Sequence, residues 1–171
     1  MISARKYDSR IVDLGAAPGS WSQVLSNIVP PTAKIVAIDL LPIKPIKQVQ
    51  TIALDFTADD SFKRISEAFG CDSKNLSVNL IVSDLCANLS GNSCVDNSNN
   101  LLLWKLALNF TKTITSPNGH FLMKFFESKE SSFFRNDLEK YFDRVVVFKP
   151  SASRSVSSEK YFVCLNKNRI I

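Results

Sequence analysis

Histidine and glycine are scarce in this chain, and it has no long apolar run. A single histidine, His120, accompanies four cysteines, Cys71, Cys86, Cys94 and Cys164, and no two of the cysteines stand in a C-x-x-C pair. Zinc centres take paired cysteines or histidines at short intervals, so no metal site is expected. The thiols read as reduced groups used mostly in packing. No apolar stretch reaches the roughly 18 residues that a membrane helix needs, so no membrane partner is expected. The segment from Met1 to Arg10 is polar and basic and lacks the apolar core of a secretory signal. Neither a low-complexity linker nor a second domain is visible, so residues 1–171 read as one domain and a monomer.

What is present is ordinary globular usage, with 45% hydrophobic and 22% charged residues. Lysine and arginine number 21 against 16 acids, a net charge of +5. That balance suits a polyanionic partner, and it equally suits a solvated surface. The last third holds Lys140, Arg144, Lys149, Arg154, Lys160, Lys167 and Arg169.

Short β-branched runs alternate with helical patterns, the signature of βαβ units and a mainly parallel sheet. Strands are predicted at residues 11–14, 34–39, 51–54, 80–83, 120–126, 144–148 and 160–165. A helix from Ser20 to Ile28 has Trp21, Val24, Leu25 and Ile28 at helical spacing. A second runs from Ser61 to Phe69 and ends at Gly70; a third carries Leu103, Leu106, Ala107, Phe110 and Ile114; a fourth carries Phe134, Leu138 and Tyr141. Pro117-Asn118-Gly119 reads as a turn. Residues 88–100, rich in Asn and Ser, read as a mobile loop. The connection between the last two strands is too short for a crossover helix, so that pair is antiparallel. The expected fold class is α/β and Rossmann-like: a seven-stranded, mostly parallel sheet with an antiparallel last strand and helices on both faces.

Ligands in open α/β sheets bind beyond the carboxyl ends of the strands. Gly15-Ala16-Ala17-Pro18-Gly19 follows the first strand, Asp39 ends the second, Asp55 follows the third, Asp84 closes the fourth and Lys124 lies on the fifth. A glycine turn into a helix lets backbone N–H groups approach a ligand. Asp39 suits a ribose diol and Asp55 an adenine amino group. The loop matches neither G-x-G-x-x-G nor the G-x-x-x-x-G-K-[ST] phosphate loop, which disfavours a nicotinamide dehydrogenase and favours S-adenosylmethionine.

These residues carry a family resemblance. Val12-Asp13-Leu14-Gly15-Ala16-Ala17-Pro18-Gly19-Ser20-Trp21-Ser22-Gln23 resembles motif I of the FtsJ/RrmJ ribose 2′-O-methyltransferases. Asp39-Leu40-Leu41-Pro42-Ile43 and Asp55-Phe56 are similar to their cofactor motifs. Ser83-Asp84-Leu85 with Asn88-Leu89-Ser90-Gly91 is similar to their S-D-M-A-P-N-x-S-G segment, with Cys86-Ala87 where Ala-Pro is usual. Gly119 to Phe125 is similar to their G-x-F-x-x-K-x-F strand, and Lys149-Pro150 through Ser153-Arg154 to Glu159 to their ending.

The resemblance implies a class I methyltransferase fold and an S-adenosylmethionine site at Gly15, Ala17, Pro18, Gly19, Ser20, Trp21, Asp39, Leu40, Asp55, Phe56 and Asp84. It implies Asp84, Lys124 and Glu159 as catalytic residues, with Lys124 handling the leaving proton's charge, Asp84 orienting it and Glu159 fixing the ammonium. Lys149, Ser153 and Arg154 are implied as RNA contacts. No counterpart of the family's first catalytic lysine is expected within these residues, because only twelve precede Asp13 and Lys6 matches an inter-helix loop better than the helix that carries it; a truncated sequence, a late start and an impaired enzyme are the open readings. The implied activity is 2′-O-methylation of a uridine ribose in large-subunit ribosomal RNA, free or in a particle. The alternatives are a catalytically impaired or truncated RNA- or cofactor-binding paralogue and a tRNA ribose methyltransferase. The Phe-, Asn- and Ser-rich composition leans toward a mitochondrion, with the cytoplasm as alternative. Trp21 also suits helix packing, Lys124 a snorkelling strand lysine, and Trp104 and His120 structural places.

Overall fold

The computed structural model describes residues 9–88, 90–151 and 157–168. Its strands are β1 (Arg10–Leu14), β2 (Lys34–Asp39), β3 (Val49–Ala53), β4 (Val78–Ser83), β5 (Thr115–Phe126), β6 (Phe142–Phe148) and β7 (Glu159–Lys167). Its helices are α1 (Ser20–Ile28), α2 (Ser61–Phe69), α3 (Ser93–Ile114) and α4 (Lys129–Glu139). No helix among the described residues is long and apolar enough to cross a membrane.

The strands form one sheet in the order β3-β2-β1-β4-β5-β7-β6. Pairs from β3 through β5 are parallel, while β7 runs antiparallel to both β5 and β6. The chain builds outward from β1 to β3, then returns to place β4 on the other side of β1. That reversal opens a crevice at the carboxyl ends of β1 and β4.

Alternation along each strand feeds two unequal cores. Val12, Leu14, Val36, Ile38, Ile81, Phe121, Met123, Phe125 and Phe162 meet Ile65, Phe69, Trp104, Phe110, Phe134 and Leu138 from α2, α3 and α4. On the opposite face Ile11, Ile35 and Val82 meet Leu25, Val29 and Ala33 of α1 and its exit, with Trp21, Val49, Leu80 and Leu122 partly buried against them. Trp104 is a core residue, flanked by the rings of Phe125 and Phe134.

Several expectations need correction. β3 begins two residues before the predicted strand (51 − 49). Pro117-Asn118-Gly119 lies inside β5, where the register on β4 jumps from Val78↔Thr115 to Leu80↔His120 and Asn118 takes φ +62°. The turn residues therefore make a bulge within a strand. Tyr141 follows α4 rather than ending it. In α1, Val24 and Ile28 are exposed and Ser22 is buried with Leu25. The apolar spacing alone misplaced that face, because a buried hydrogen bond from Ser22 to β1 sets the helix rotation. In α3 the buried stripe follows Trp104, Ala107, Leu108, Thr111 and Ile114, while Leu106 faces out.

Of the span expected as a mobile loop, residues 90–100 are tied down. Asn92 caps α3 by accepting the N–H groups of Cys94 and Val95, and the helix starts at Ser93. Asp96 accepts the N–H and hydroxyl of Ser90, each at 2.7 Å, and the N–H of Gly91 at 3.3 Å. Asn100 accepts the Ala87 N–H at 3.1 Å and donates to the Asp96 carbonyl. These bonds staple the segment after β4 onto the helix that follows it.

Candidate active site

Gly15 leaves β1 with φ +76°, a conformation that a side chain would strain. A Cβ there would also fall 2.6 Å from Leu85 Cδ2, so the glycine lets the segment after β4 close against the loop. Gly19 enters α1 with φ +115°, and a Cβ there would meet Ile46 at 2.8 Å. The N–H groups of Gly15 and Ala16 donate to the Ile38 carbonyl, and that of Ala17 donates to Asp39 Oδ2 at 2.9 Å. The expectation that these amides face a ligand is therefore corrected: three loop donors are consumed internally. The stretch from Gly15 to Ala17 offers close backbone approach with its N–H groups already used, which suits a sulfonium better than a pyrophosphate.

Asp39 braces the loop with one oxygen and accepts the Leu41 N–H at 2.9 Å with the other. Asp55 takes the N–H and hydroxyl of Thr57 on Oδ1, and these bonds hold its carboxyl below the usual range. Its second oxygen takes part in neither bond. Both acids line one crevice of about 780 Å³ with Gly15, Ala17, Leu40, Phe56, Asp84 and Lys124. That size is ordinary for a small-molecule site. Leu85, Cys86, Ala87 and Asn88 of the stapled segment form another wall. Pro18, Gly19, Ser20 and Trp21 do not line the crevice; Gly19 is covered by Ile43 and Ile46 instead.

Lys124 reaches the crevice from β5 and pairs with Asp84, Nζ to Oδ1 at 2.8 Å. Its side chain is only 12% exposed and that of Asp84 34%. At such partial burial a charge pair is screened less than on an open surface. Tyr161 stands opposite Lys124 on β7. Its hydroxyl donates to Glu159 Oε1 at 2.7 Å, and its ring lies 5.6 Å from that of Trp21. Glu159 thus holds Tyr161, where the resemblance gave it the Lys124 ammonium. Burial and the Glu159 carboxylate push the Tyr161 hydroxyl's pKa upward.

Tyr161 escaped the sequence reading because only antiparallel pairing brings it beside Lys124. The polar start of α3 was legible in principle, since Asn92 precedes a helical run as a cap residue does. The cysteines divide: Cys164 is buried, Cys71 half-buried, and Cys86 and Cys94 exposed. Burial raises the Cys86 thiol's pKa against the opposing pull of Lys124. His120 accepts the Asn166 N–H on Nδ1 and is held below its ordinary pKa by burial. Lys149 donates to the Ser157 carbonyl at 3.0 Å, bridging β6 and β7. Lys6, Leu89, Ser153 and Arg154 lie outside the described residues.

Asp13 sits beneath the site with no exposed surface. It accepts the Ser22 hydroxyl at 2.6 Å, and its Oδ1 has no partner among the described residues. Burial raises its carboxyl to about 6, with Ser22 opposing and Asp84 and Asp39 adding. The folded protein therefore keeps a proton that the unfolded chain, titrating near 3.8, has already released. Stability from this group is full below about pH 4 and is lost as pH rises through about 6, a change of roughly 3 kcal/mol. Asp13→Asn removes the titration. Urea unfolding of variant and wild type is expected to show the difference moving in the variant's favour by about 2 kcal/mol between about pH 4 and pH 7.5. A pH-independent difference would exclude this origin.

With the geometry in place, the relatives can be set beside it. The model of the FtsJ-like methyltransferase family matches residues 2–167. A protein of Cellvibrio japonicus named ribosomal RNA large subunit methyltransferase E is 40% identical over 153 residues, covering 90% of this chain and 71% of the relative. One of the same name from Rickettsia canadensis is 40% identical over 163 residues, covering 92% and 70%. Among solved structures, a putative ribosomal RNA methyltransferase of Plasmodium falciparum superposes with TM-score 0.78 at 25% identity, over 95% of this chain and 88% of that one. The fibrillarin pre-rRNA processing protein of Methanococcus jannaschii shares the fold, with TM-score 0.64 at 14% identity over 96% of this chain and 69% of that one. By a match that runs from motif I to the last strand, this chain belongs to the FtsJ-like methyltransferase family.

Proposed function

We propose that this chain transfers the methyl group of S-adenosylmethionine to the ribose 2′-hydroxyl of a uridine in large-subunit ribosomal RNA. The observation that carries this is the Lys124–Asp84 pair at the wall of the 780 Å³ crevice. The residues there fit the cofactor. Asp39 and Asp55 offer carboxylate acceptors, Phe56 and Leu85 offer apolar walls, and Gly15 lets the backbone come close. When bound, S-adenosylmethionine supplies an electrophilic methyl group.

The protein's own part is positioning and charge. A ribose hydroxyl attacking carbon develops negative charge on oxygen and must lose its proton. Lys124, held at 2.8 Å by Asp84, presents positive charge where that oxygen would lie, and the partly exposed Asp84 carboxylate offers the proton a path to solvent. The stapled wall keeps the crevice's shape, so the reacting atoms meet in line without reordering a loop. The Tyr161–Glu159 bond fixes a ring beside the lysine.

A labelled-methyl assay tests the reading. Wild-type protein is expected to transfer label from S-adenosylmethionine to large-subunit ribosomal RNA, free or in subunits, with the label on a 2′-oxygen of uridine. Label on a base, or none on either substrate with the cofactor bound, would overturn it.

A further inference from the structure

β2 and β3 are parallel, yet no helix joins them. Residues 40–48 make the crossover, running from the carboxyl end of β2 to a turn at Lys47 and Gln48 that leads into the amino end of β3, where the Val49 N–H donates to the Ile46 carbonyl at 3.1 Å. At its centre the same three residues occur twice, Pro42-Ile43-Lys44-Pro45-Ile46-Lys47. Residues 42–46 carry no regular hydrogen-bonded structure. A three-residue period is that of polyproline II, and proline at every third place fixes the backbone angle it needs. Each residue type then falls on its own side of the segment.

The side chains are sorted in that way. Ile43 and Ile46 are half-buried, and both lie against Gly19. Lys44 and Lys47 are exposed, and neither has a hydrogen-bond or ion-pair partner among the described residues. Both ends of the segment are tied. Leu41 donates to Asp39, and Gln48 Nε2 donates to the carbonyls of Pro30 at 2.8 Å and Ala33 at 3.2 Å. Two unpaired cations are therefore held on a stiff support.

We propose that the tandem Pro-Ile-Lys segment is a contact rail for the RNA phosphate backbone, flanking the crevice on its β2–β3 side. The inference rests on the chain acting on RNA as proposed above. At a rise of about 3.1 Å per residue the two ammonium groups emerge about 9 Å apart along the segment, within reach of phosphates one or two nucleotides apart. The fixed backbone leaves only two side chains to be ordered on binding. Lysine reads phosphate as a point charge and carries no base preference, so the rail adds affinity and register but no sequence choice. Leu40 and Leu41, at its head, already line the crevice. Lys149 follows β6 at the far edge of the sheet. RNA laid across the strand ends would meet Lys149 on one flank and Lys124 between, and where it turns down over the β2–β3 side it would meet Lys44 first and then Lys47, nearer the amino end of β3.

The test compares Lys44→Ala/Lys47→Ala with Lys74→Ala/Lys105→Ala, which removes two exposed lysines elsewhere. The probe is a large-subunit ribosomal RNA transcript, titrated between about 0.05 and 0.3 M KCl. The rail variant is expected to bind about tenfold more weakly near 0.1 M salt, with a salt slope shallower by about 1.5, as loss of two phosphate contacts requires. Its S-adenosylmethionine affinity should equal that of wild type, which shows that the fold is kept. The control pair should change neither the RNA affinity nor the slope. Equal behaviour of the two variants, whether both unchanged or both weakened, overturns the rail. Wild-type protein that binds the transcript through these lysines but transfers no methyl group would refute the activity and keep the rail. Wild-type protein that binds neither the transcript nor large ribosomal subunits overturns both.

Discussion

Lys124→Met is expected to lower kcat for methyl transfer about 1000-fold while leaving S-adenosylmethionine affinity close to wild type. Methionine keeps the length and apolar stem but removes the ammonium 2.8 Å from Asp84. A loss of that size corresponds to about 4 kcal/mol, typical of removing one preorganised donor from a developing oxyanion. Stability should change little, because the remaining Asp84 side chain keeps 34% of its surface in water. Single-turnover transfer with saturating cofactor and RNA gives the rate, and calorimetry gives the cofactor affinity. Normal turnover in this variant would remove Lys124 from the chemistry. A loss of cofactor affinity equal to the loss of rate would make it a binding residue only. An Asp84→Asn, Lys124→Met pair should cost little more than the costlier single change, since the two groups act as one unit.

Trp104→Ala is expected to have the largest effect on stability. The indole is 2% exposed and lies across the rings of Phe125 and Phe134. Truncating a buried tryptophan costs about 3–5 kcal/mol through lost transfer energy and the cavity left behind. A chain of this size should then melt about 10 °C lower. The cavity would open against Phe125, next to Lys124 in β5, so loosening there should also reduce transfer at temperatures where the protein stays folded. Leu106→Ala, on the outer face of the same helix at 36% exposure, should cost far less. Thermal scans of the two variants separate them, and equal melting points would mean that Trp104 does not hold the core.

The strands of the parallel half were legible because each is a short β-branched run that alternates or is wholly apolar. Ile35, Val36, Ala37 and Ile38 are all buried, as a central parallel strand requires. The cap signal at Asn92 was not enough to place the start of α3, since Asn and Ser serve turns and caps alike, and the bonds that choose between them come from Asp96 and Asn100 farther along. The rotation of α1 was misjudged for a related reason. Counting Val24 and Ile28 as core ignored that a buried carboxylate, Asp13, claims Ser22. Within the site, the acids at strand ends were found by position, because the ends of parallel strands meet wherever the chain reverses direction in the sheet. Asp84 was assigned to Lys124 and pairs with it, but the protein partners of two other acids were not found. Asp39 braces its own loop, and Glu159 holds a tyrosine rather than the lysine.

Local patterning along the chain was enough to give the succession of strands and helices, the family, and the crevice residues Gly15, Ala17, Asp39, Leu40, Asp55, Phe56, Asp84 and Lys124, although it also placed Pro18 to Trp21 there. Those features are local: alternation, turn residues and spacing along the chain suffice to state them. Only the tertiary structure decided which donors of the glycine loop are already used, that Tyr161 stands beside Lys124, and that Pro42 to Lys47 lies against Gly19 with its two lysines outward. Each of these depends on groups far apart in the chain competing for the same hydrogen bond or the same space, and that competition has no outcome until the sheet is assembled.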